Sequence, residues 1–238
     1  MRLNKYLSFV GFCSRREADR LIDGGHIAVN GEKAVLGLDV EDGDLVTCDG
    51  KIVKGPDRKV ILLFNKPKGV VCTSSAKEKN NIIDYINYPV RVYNAGRLDK
   101  DSRGLIILTN QGDLVNDLGR ARNYHEKEYV VKVDHKVTDG FIKKIEQGIF
   151  LPELNVKTRP ARAFATAYNE FHIILTEGLN REIRRICESE HYYVHDLRRI
   201  RIMNLKIDGI EEGKYRKIRP DEEKELYRLL KTSGGDRK

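Results

Sequence analysis

The stretch NAGRLDKDSRGLIILTN, residues 94–110, restricts this chain more than any other. Arg97, Asp99, Lys100, Asp101, Ser102 and Arg103 run directly into the apolar run 105–108. An uninterrupted apolar run bounded by polar residues reads as a buried strand. Acids and bases crowded against such a strand are either a solvated turn or a loop that aims one acid at chemistry from a rigid base.

The rest of the chain is read around that strand. Its 238 residues allow one large or two modest domains, and 40% hydrophobic residues suffice for a core. The formal net charge of +8 points towards a polyanion, nucleic acid above all. Residues 1–58 do not supply that surplus: they hold nine Lys or Arg against ten Asp or Glu. Cys13, Cys48, Cys72 and Cys187 form no C-x-x-C pair, which argues against a zinc ribbon and for reduced packing thiols in a cytoplasmic protein. The opening MRLNKYL is not followed by an apolar signal core, and no apolar run is long enough to span a bilayer.

The first 23 residues read as two short helices. Leu3, Tyr6, Leu7 and Val10 form one stripe. Ser14 and Glu17 make a capping box for a second helix that Gly24-Gly25 ends. Asn30-Gly31 marks a hairpin, and Asp-Gly turns flank a further strand around 45–48. This gives a compact module over residues 1–50, a linker over 51–59 containing Gly55-Pro56-Asp57, a second domain over 60–231 and a disordered tail over 232–238. In the second domain, strands are expected at 60–65, 105–109, 129–133 and 171–176. Helices are expected at 138–147 with Thr138 as cap, at 181–190 and at 220–231.

Several chemistries find no support. DKDSRG (99–104) begins like a calcium loop, but Arg103 stands at its fifth position and Asn110 where the bidentate Glu belongs. No G-x-x-x-x-G-K-[ST] or G-x-G-x-x-G segment cradles a nucleotide, and HEKEY lacks the second His of a zincin. No cofactor and no metal are therefore expected.

Four segments, in order, carry a family resemblance. NKPKGV (65–70), NAGRLDKDSRGLIILTN, HEKEYVVKV (125–133) and ILTEGLNREIRRICE (174–188) resemble the motifs of the RNA pseudouridine synthases. Residues 2–48 resemble an S4 RNA-binding module, the arrangement of the bacterial ribosomal RNA subfamily, and RIRIMN (199–204) leans towards the large-subunit (23S) type F. The resemblance implies an α+β fold: a small S4-type domain, then a catalytic domain on a mixed, mainly antiparallel sheet flanked by helices. It implies isomerisation of uridine to pseudouridine within RNA, by a carboxylate acting on a flipped-out nucleotide. That carboxylate attacks the sugar or removes the C2′ proton, and both routes stay open. One departure is visible: Glu182 stands where the family usually has Gln, and it either repels the RNA backbone locally or pairs with Arg181 or Arg185.

Carried onto this chain, the motifs make Asp99 the catalytic residue, with Asp101 and Ser102 bracing its loop. Tyr129 is the platform for the target base, since base–aromatic stacking is worth roughly 1–3 kcal/mol. Arg184 is the expected cation beside Asp99, because a guanidinium fork orients a carboxylate. Arg97 is expected near the flipped nucleotide. Arg15, Arg16, Arg20, Lys127, Arg181 and Arg185 are candidate RNA contacts; Arg120, Arg122, Arg198, Arg199 and Arg201 are further phosphate candidates. The partner is ribosomal RNA, 23S or a precursor particle, with transfer RNA or 16S RNA as alternative substrates. The chain is expected to act as a monomer, away from membranes. A non-catalytic S4-type assembly protein is the rival reading.

Overall fold

The computed structural model describes residues 1–54, 59–75, 77–119 and 124–235. The N-terminal unit packs α1 (Leu3–Phe9) and α2 (Arg15–Asp23) on a small antiparallel sheet of β1 (Ile27–Val29), β2 (Glu32–Lys33), β3 (Val46–Cys48) and β4 (Lys51–Ile52), in the order β2-β1-β3-β4. Ser14 Oγ accepts the Glu17 N–H and starts α2, as the capping box dictates. Leu3, Leu7, Ala18, Ile22, Ile27, Val46 and Val53 form a core of their own. The unit thus runs past residue 50: β4 pairs with β3 through Thr47 and Ile52, and Val53 is buried. The expected linker therefore begins inside this unit, and its Gly-Pro-Asp joint lies outside the described residues.

The second unit follows with β5 (Ile61–Lys66), α3 (Ile82–Ile86), β6 (Tyr93–Ala95), β7 (Arg103–Thr109), α4 (Gly112–Gly119), β8 (Lys127–Val133) and α5 (Asp139–Gln147). Next come β9 (Phe150–Leu151), β10 (Val156–Lys157), β11 (Arg162–Ala167), β12 (Glu170–Leu175), α6 (Glu182–Ser189), β13 (Val194–Ile202), β14 (Leu205–Lys206), β15 (Tyr215–Lys217) and α7 (Pro220–Gly235). One sheet runs β11-β12-β8-β13-β7-β5-β15, with β14 on β13 and β6 on β7. Every pairing in it is antiparallel except β13 with β7, so the expected mixed, mainly antiparallel α+β architecture is what forms.

Both faces of this sheet are covered at its centre, which explains the unbroken apolar runs. Leu62, Phe64, Ile106 and Leu108 face one core with Val131, Phe171 and residues of α3, α5 and α6. Their neighbours Ile61, Leu63, Leu105 and Ile107 face the other, with Leu114, Leu118 and Leu226 of α4 and α7. Side chains alternate sides along a strand, so one short run serves two cores. Thr138 caps α5 by accepting the Phe141 N–H, and Gly148 ends it. The two units touch where the Tyr93 hydroxyl donates to the Ser8 carbonyl at 3.1 Å.

Two expectations are corrected here. Helix α7 continues through Gly235, beyond the boundary set at 231; residues 236–238 lie outside the described part. The arginine run at 198–201 is not an exposed phosphate-binding edge but part of β13, the strand that joins the two halves of the sheet. Arg199 is 2% exposed and Arg201 is paired with Glu126 and Glu128. Arg120 and Arg122 lie outside the described residues.

Candidate active site

The acid-rich loop sits between β6 and β7 and is held at several points. Gly96 turns it with φ +83°, and Leu98 anchors it in the core. The Leu98 N–H points at Cys72 Sγ (3.4 Å), and the Ser102 N–H donates to the Asp99 carbonyl (3.1 Å). The NKPKGV segment serves the same loop. Lys66 is fully buried and gives its ammonium protons to its own turn, at Pro67 O (2.9 Å) and Val70 O (2.8 Å). Gly69, at φ +88°, donates its N–H to the Lys100 carbonyl (2.7 Å). Arg103 closes the far side with a fork onto Asp196, which Lys68 also meets at 2.7 Å. The two cations hold the Asp196 carboxyl down at about 2 despite its partial burial.

Asp99 leaves this loop into a cleft of about 560 Å³ that reaches β8, β13 and the segment before α6. Its side chain keeps about a third of its exposure. Tyr129, on β8, lines the same cleft and is 9% exposed, with its body in the main core. The Arg199 guanidinium lies 5.9 Å from its ring centre and donates Nε–H to the Leu105 carbonyl (2.7 Å). Arg97 lines the mouth, exposed. Lys127 lies deeper, and burial, with Arg199 and Arg159 adding to it, brings its ammonium down to about 8.

The arginines of the REIRR segment divide differently from expectation. Arg181 Nη1 lies 3.7 Å from Asp99 Oδ2 and 3.5 Å from Asp101 Oδ1. Arg184 is buried at 8% and turns its Nη2 to Asp101 Oδ2 (3.1 Å) and to the Asp101 carbonyl (3.3 Å). Its Nη1 donates to the Val194 carbonyl at 3.3 Å. The ion-pair partner of Asp99 is therefore Arg181, while Arg184 braces the loop through Asp101. The reason is the backbone: Arg181 adopts a left-handed conformation (φ +52°) just ahead of α6, which turns its side chain across the cleft mouth, whereas Arg184 sits one turn inside the helix.

Arg185 lies away from the cleft, bonded to the Asn180 carbonyl (2.9 Å) and paired with Glu153. Neither Arg181 nor Arg185 pairs with Glu182, whose Oε2 instead accepts the Leu179 N–H at 3.0 Å. Arg15, Arg16 and Arg20 are exposed on α2, with Arg20 paired to Glu17 at 2.7 Å. Sequence reasoning passed over the buried Lys66 and the half-buried Glu177, and it noted Glu182 only as a departure from its motif, not as a buried acid. Lysine and glutamate are ordinarily surface residues, and nothing local marks these as exceptions. Among the described residues no group of three or more His, Cys, Asp or Glu is disposed to hold a metal, and no helix is long and apolar enough to cross a membrane.

Comparison with known proteins places the chain in a family. Residues 60–189 match the RNA pseudouridylate synthase family model and residues 1–46 the S4 domain. The chain is 45% identical over 240 residues to the dual-specificity RNA pseudouridine synthase RluF of Shigella flexneri, spanning 100% of this chain and 82% of that protein. It is 33% identical to the ribosomal large subunit pseudouridine synthase B of Bacillus subtilis, covering 96% of each. A crystal structure of a pseudouridylate synthase shares the fold over 96% of this chain and 99% of its own, with a TM-score of 0.70 at 24% identity. The chain belongs to the RNA pseudouridylate synthase family and is an RNA pseudouridine synthase with an N-terminal S4 domain.

Proposed function

We propose that Asp99 is the catalytic carboxylate and that the substrate is a uridine of large-subunit (23S) ribosomal RNA. The observation that carries this reading is the Asp99 carboxylate on one wall of the cleft that Tyr129 also lines, with a guanidinium 3.7 Å away. Isomerisation breaks the bond from uracil N1 to the ribose, turns the base and forms a new bond from its C5. A carboxylate beside the ribose serves either the nucleophilic or the proton-abstraction route. Arg181 holds that carboxylate in one orientation; Arg184, through Asp101, keeps the loop from moving. Tyr129 offers a face on which uracil rotates, because stacking does not fix an in-plane direction. Lys127 brings positive charge to the depth of the cleft, facing the oxygens of the base, while the buried Arg199 backs the Tyr129 ring.

The target leaves its stack to reach Asp99, at a cost of roughly a few kcal/mol that is smaller in a loop. Phosphate contacts offset it, with Arg97 at the cleft and Arg15, Arg16 and Arg20 on the S4 unit as the contributors. The protein acts in the cytoplasm as a monomer, since one chain carries every group this reading uses. A relative named for dual specificity, 45% identical, favours a second substrate class, for which transfer RNA is the candidate. The test is a pseudouridine map of unmodified 23S, 16S and transfer RNA transcripts and of precursor particles. Carbodiimide adducts are read by primer extension. A product in a 23S loop is expected; a product confined to transfer RNA or 16S RNA overturns the substrate assignment.

A further inference from the structure

An aromatic pair stands exposed beside the Asp99 loop, and the reaction itself does not use it. Tyr193 keeps 65% of its exposure, while its neighbour Tyr192 is 6% exposed and packs in the main core. The Tyr193 ring meets the exposed His195 ring edge-on, with centroids 5.3 Å apart. Asp134 pins the Tyr193 backbone from both directions. The Tyr193 N–H donates to Asp134 Oδ1 (2.9 Å), and the Tyr193 carbonyl accepts the Asp134 N–H (3.0 Å). The ring is therefore an apolar surface that projects from a fixed backbone into water, the form that aromatic anchors take where one end meets a partner.

Three observations tie this pair to the Asp99 loop. Strands β13 and β7 run parallel with Arg198 opposite Arg103, so residues 193–196 and the loop ahead of Arg103 lie at the same end of the sheet. One guanidinium, that of Arg184, joins the Val194 carbonyl to the Asp101 carbonyl, both at 3.3 Å. Lys68 donates to the His195 carbonyl (3.3 Å), and the next residue, Gly69, holds the Lys100 carbonyl (2.7 Å). Lys68 and Lys100 are both exposed. The acids beside the pair are engaged: Asp196 by Lys68 and Arg103, Asp134 by the Tyr193 N–H and the His135 ring. We propose that Tyr193, with His195 at its edge, is a stacking platform for one base of the RNA flanking the target uridine, with Lys68 and Lys100 towards the phosphates that join the two. Every base has a face to stack, so the platform anchors the strand without reading its sequence, while the target leaves its own stack for the cleft.

The word flanking rests on the catalytic reading of Asp99, so the test reads binding and needs no activity. The chain contains no tryptophan, and Tyr193→Trp therefore supplies a single fluorophore at the platform. Its emission is followed as unmodified 23S RNA is added to the full-length protein. Phe150→Trp is the control: Phe150 is 54% exposed and shares a separate cavity with Arg185, away from the cleft. RNA should quench the emission of Tyr193→Trp and leave that of Phe150→Trp unchanged. In filter binding, Tyr193→Ala should lose about fivefold in affinity, the equivalent of ~1 kcal/mol, whereas Tyr193→Phe, which keeps the ring, should bind as wild type does. Emission that saturating RNA leaves unchanged, or equal affinity of Tyr193→Ala and wild type, overturns the proposal and leaves the pair to a protein partner. Equal quenching at both tryptophans shows contact without a site and overturns it as well. Quenching and weakened binding in a protein that makes no pseudouridine refute the catalytic reading of Asp99 and leave the platform standing.

Discussion

Replacing Gly104 with alanine loads two separate penalties onto the junction of β7 and β13. Gly104 has φ +110°, where an L-residue is strained by roughly 1–3 kcal/mol. Its new Cβ would also press on the backbone of Arg199, 2.7 Å from the nitrogen and 3.0 Å from the carbonyl carbon, with the carbonyl oxygen nearer still. Backbone cannot rotate away as a side-chain tip can, so the strands must part, at an overpacking cost of about 1–3 kcal/mol. The sum, roughly 2–6 kcal/mol, is a large share of the 5–15 kcal/mol that typically holds a domain folded. Gly209→Ala supplies the control: φ is +73°, but no atom lies within 4 Å of the added carbon, so only the backbone term applies. Urea unfolding of both variants, with unchanged slopes, should show Gly104→Ala less stable than Gly209→Ala by at least about 1 kcal/mol. Equal destabilisation would refute the claim that β7 and β13 approach this closely, and with it the placement of Arg199 under the cleft.

Other consequences follow from the same geometry. Arg181→Ala should lower the rate of pseudouridine formation by one to two orders of magnitude at saturating RNA, with less effect in Arg181→Lys; stopped-quench kinetics read both. Arg15→Ala with Arg16→Ala should weaken RNA binding and reduce the slope of log affinity against log salt by about 2, measured by filter binding across salt concentrations. Glu222 is bound by Arg216 and Arg219 at 2.7 and 2.9 Å, which hold its carboxyl down at about 2. Its folded value lies below the unfolded one, so its contribution, on the order of 3 kcal/mol, is present above about pH 4.5 and lost as pH falls towards 2. Glu222→Gln should therefore cost stability at pH 7 and little at pH 2.5. Glu182 has the opposite sign: between about 4.5 and 8 the folded state holds the extra proton, so stability falls as pH rises through that window. Glu182→Gln should remove this decline, read by thermal unfolding at a series of pH values.

Much of this architecture can be read directly from local patterns. The strands β5 and β7, the Asn30-Gly31 hairpin, the Ser14 and Thr138 caps and the order of the four motifs all rest on neighbouring residues. What failed was long-range. Strand β13 has three arginines among its nine residues and looks like a solvated charge run; its partners are the Leu105 carbonyl, Glu126 and Glu128, all about 70 or more positions away. The division of labour between Arg181 and Arg184 depends on one left-handed backbone conformation, which no residue type at 181 announces. Glu182 drew notice only as an unusual residue in its motif. Its burial comes from the fold of a loop, and of the two readings open for it in the sequence, pairing with a neighbouring arginine is not the one that forms.

The most direct test of the account is the product formed by Asp99→Asn. This change removes the carboxylate while keeping its shape, and Arg181 still has Asp101 at 3.5 Å to hold it. Unmodified 23S RNA is incubated with wild type or variant, RNA binding and thermal unfolding are checked in parallel, and pseudouridine is mapped by carbodiimide and primer extension. The account predicts a product with wild type and none with Asp99→Asn, at comparable affinity and stability. Pseudouridine formed by Asp99→Asn at the wild-type rate would contradict it and move the chemistry to another residue of the cleft.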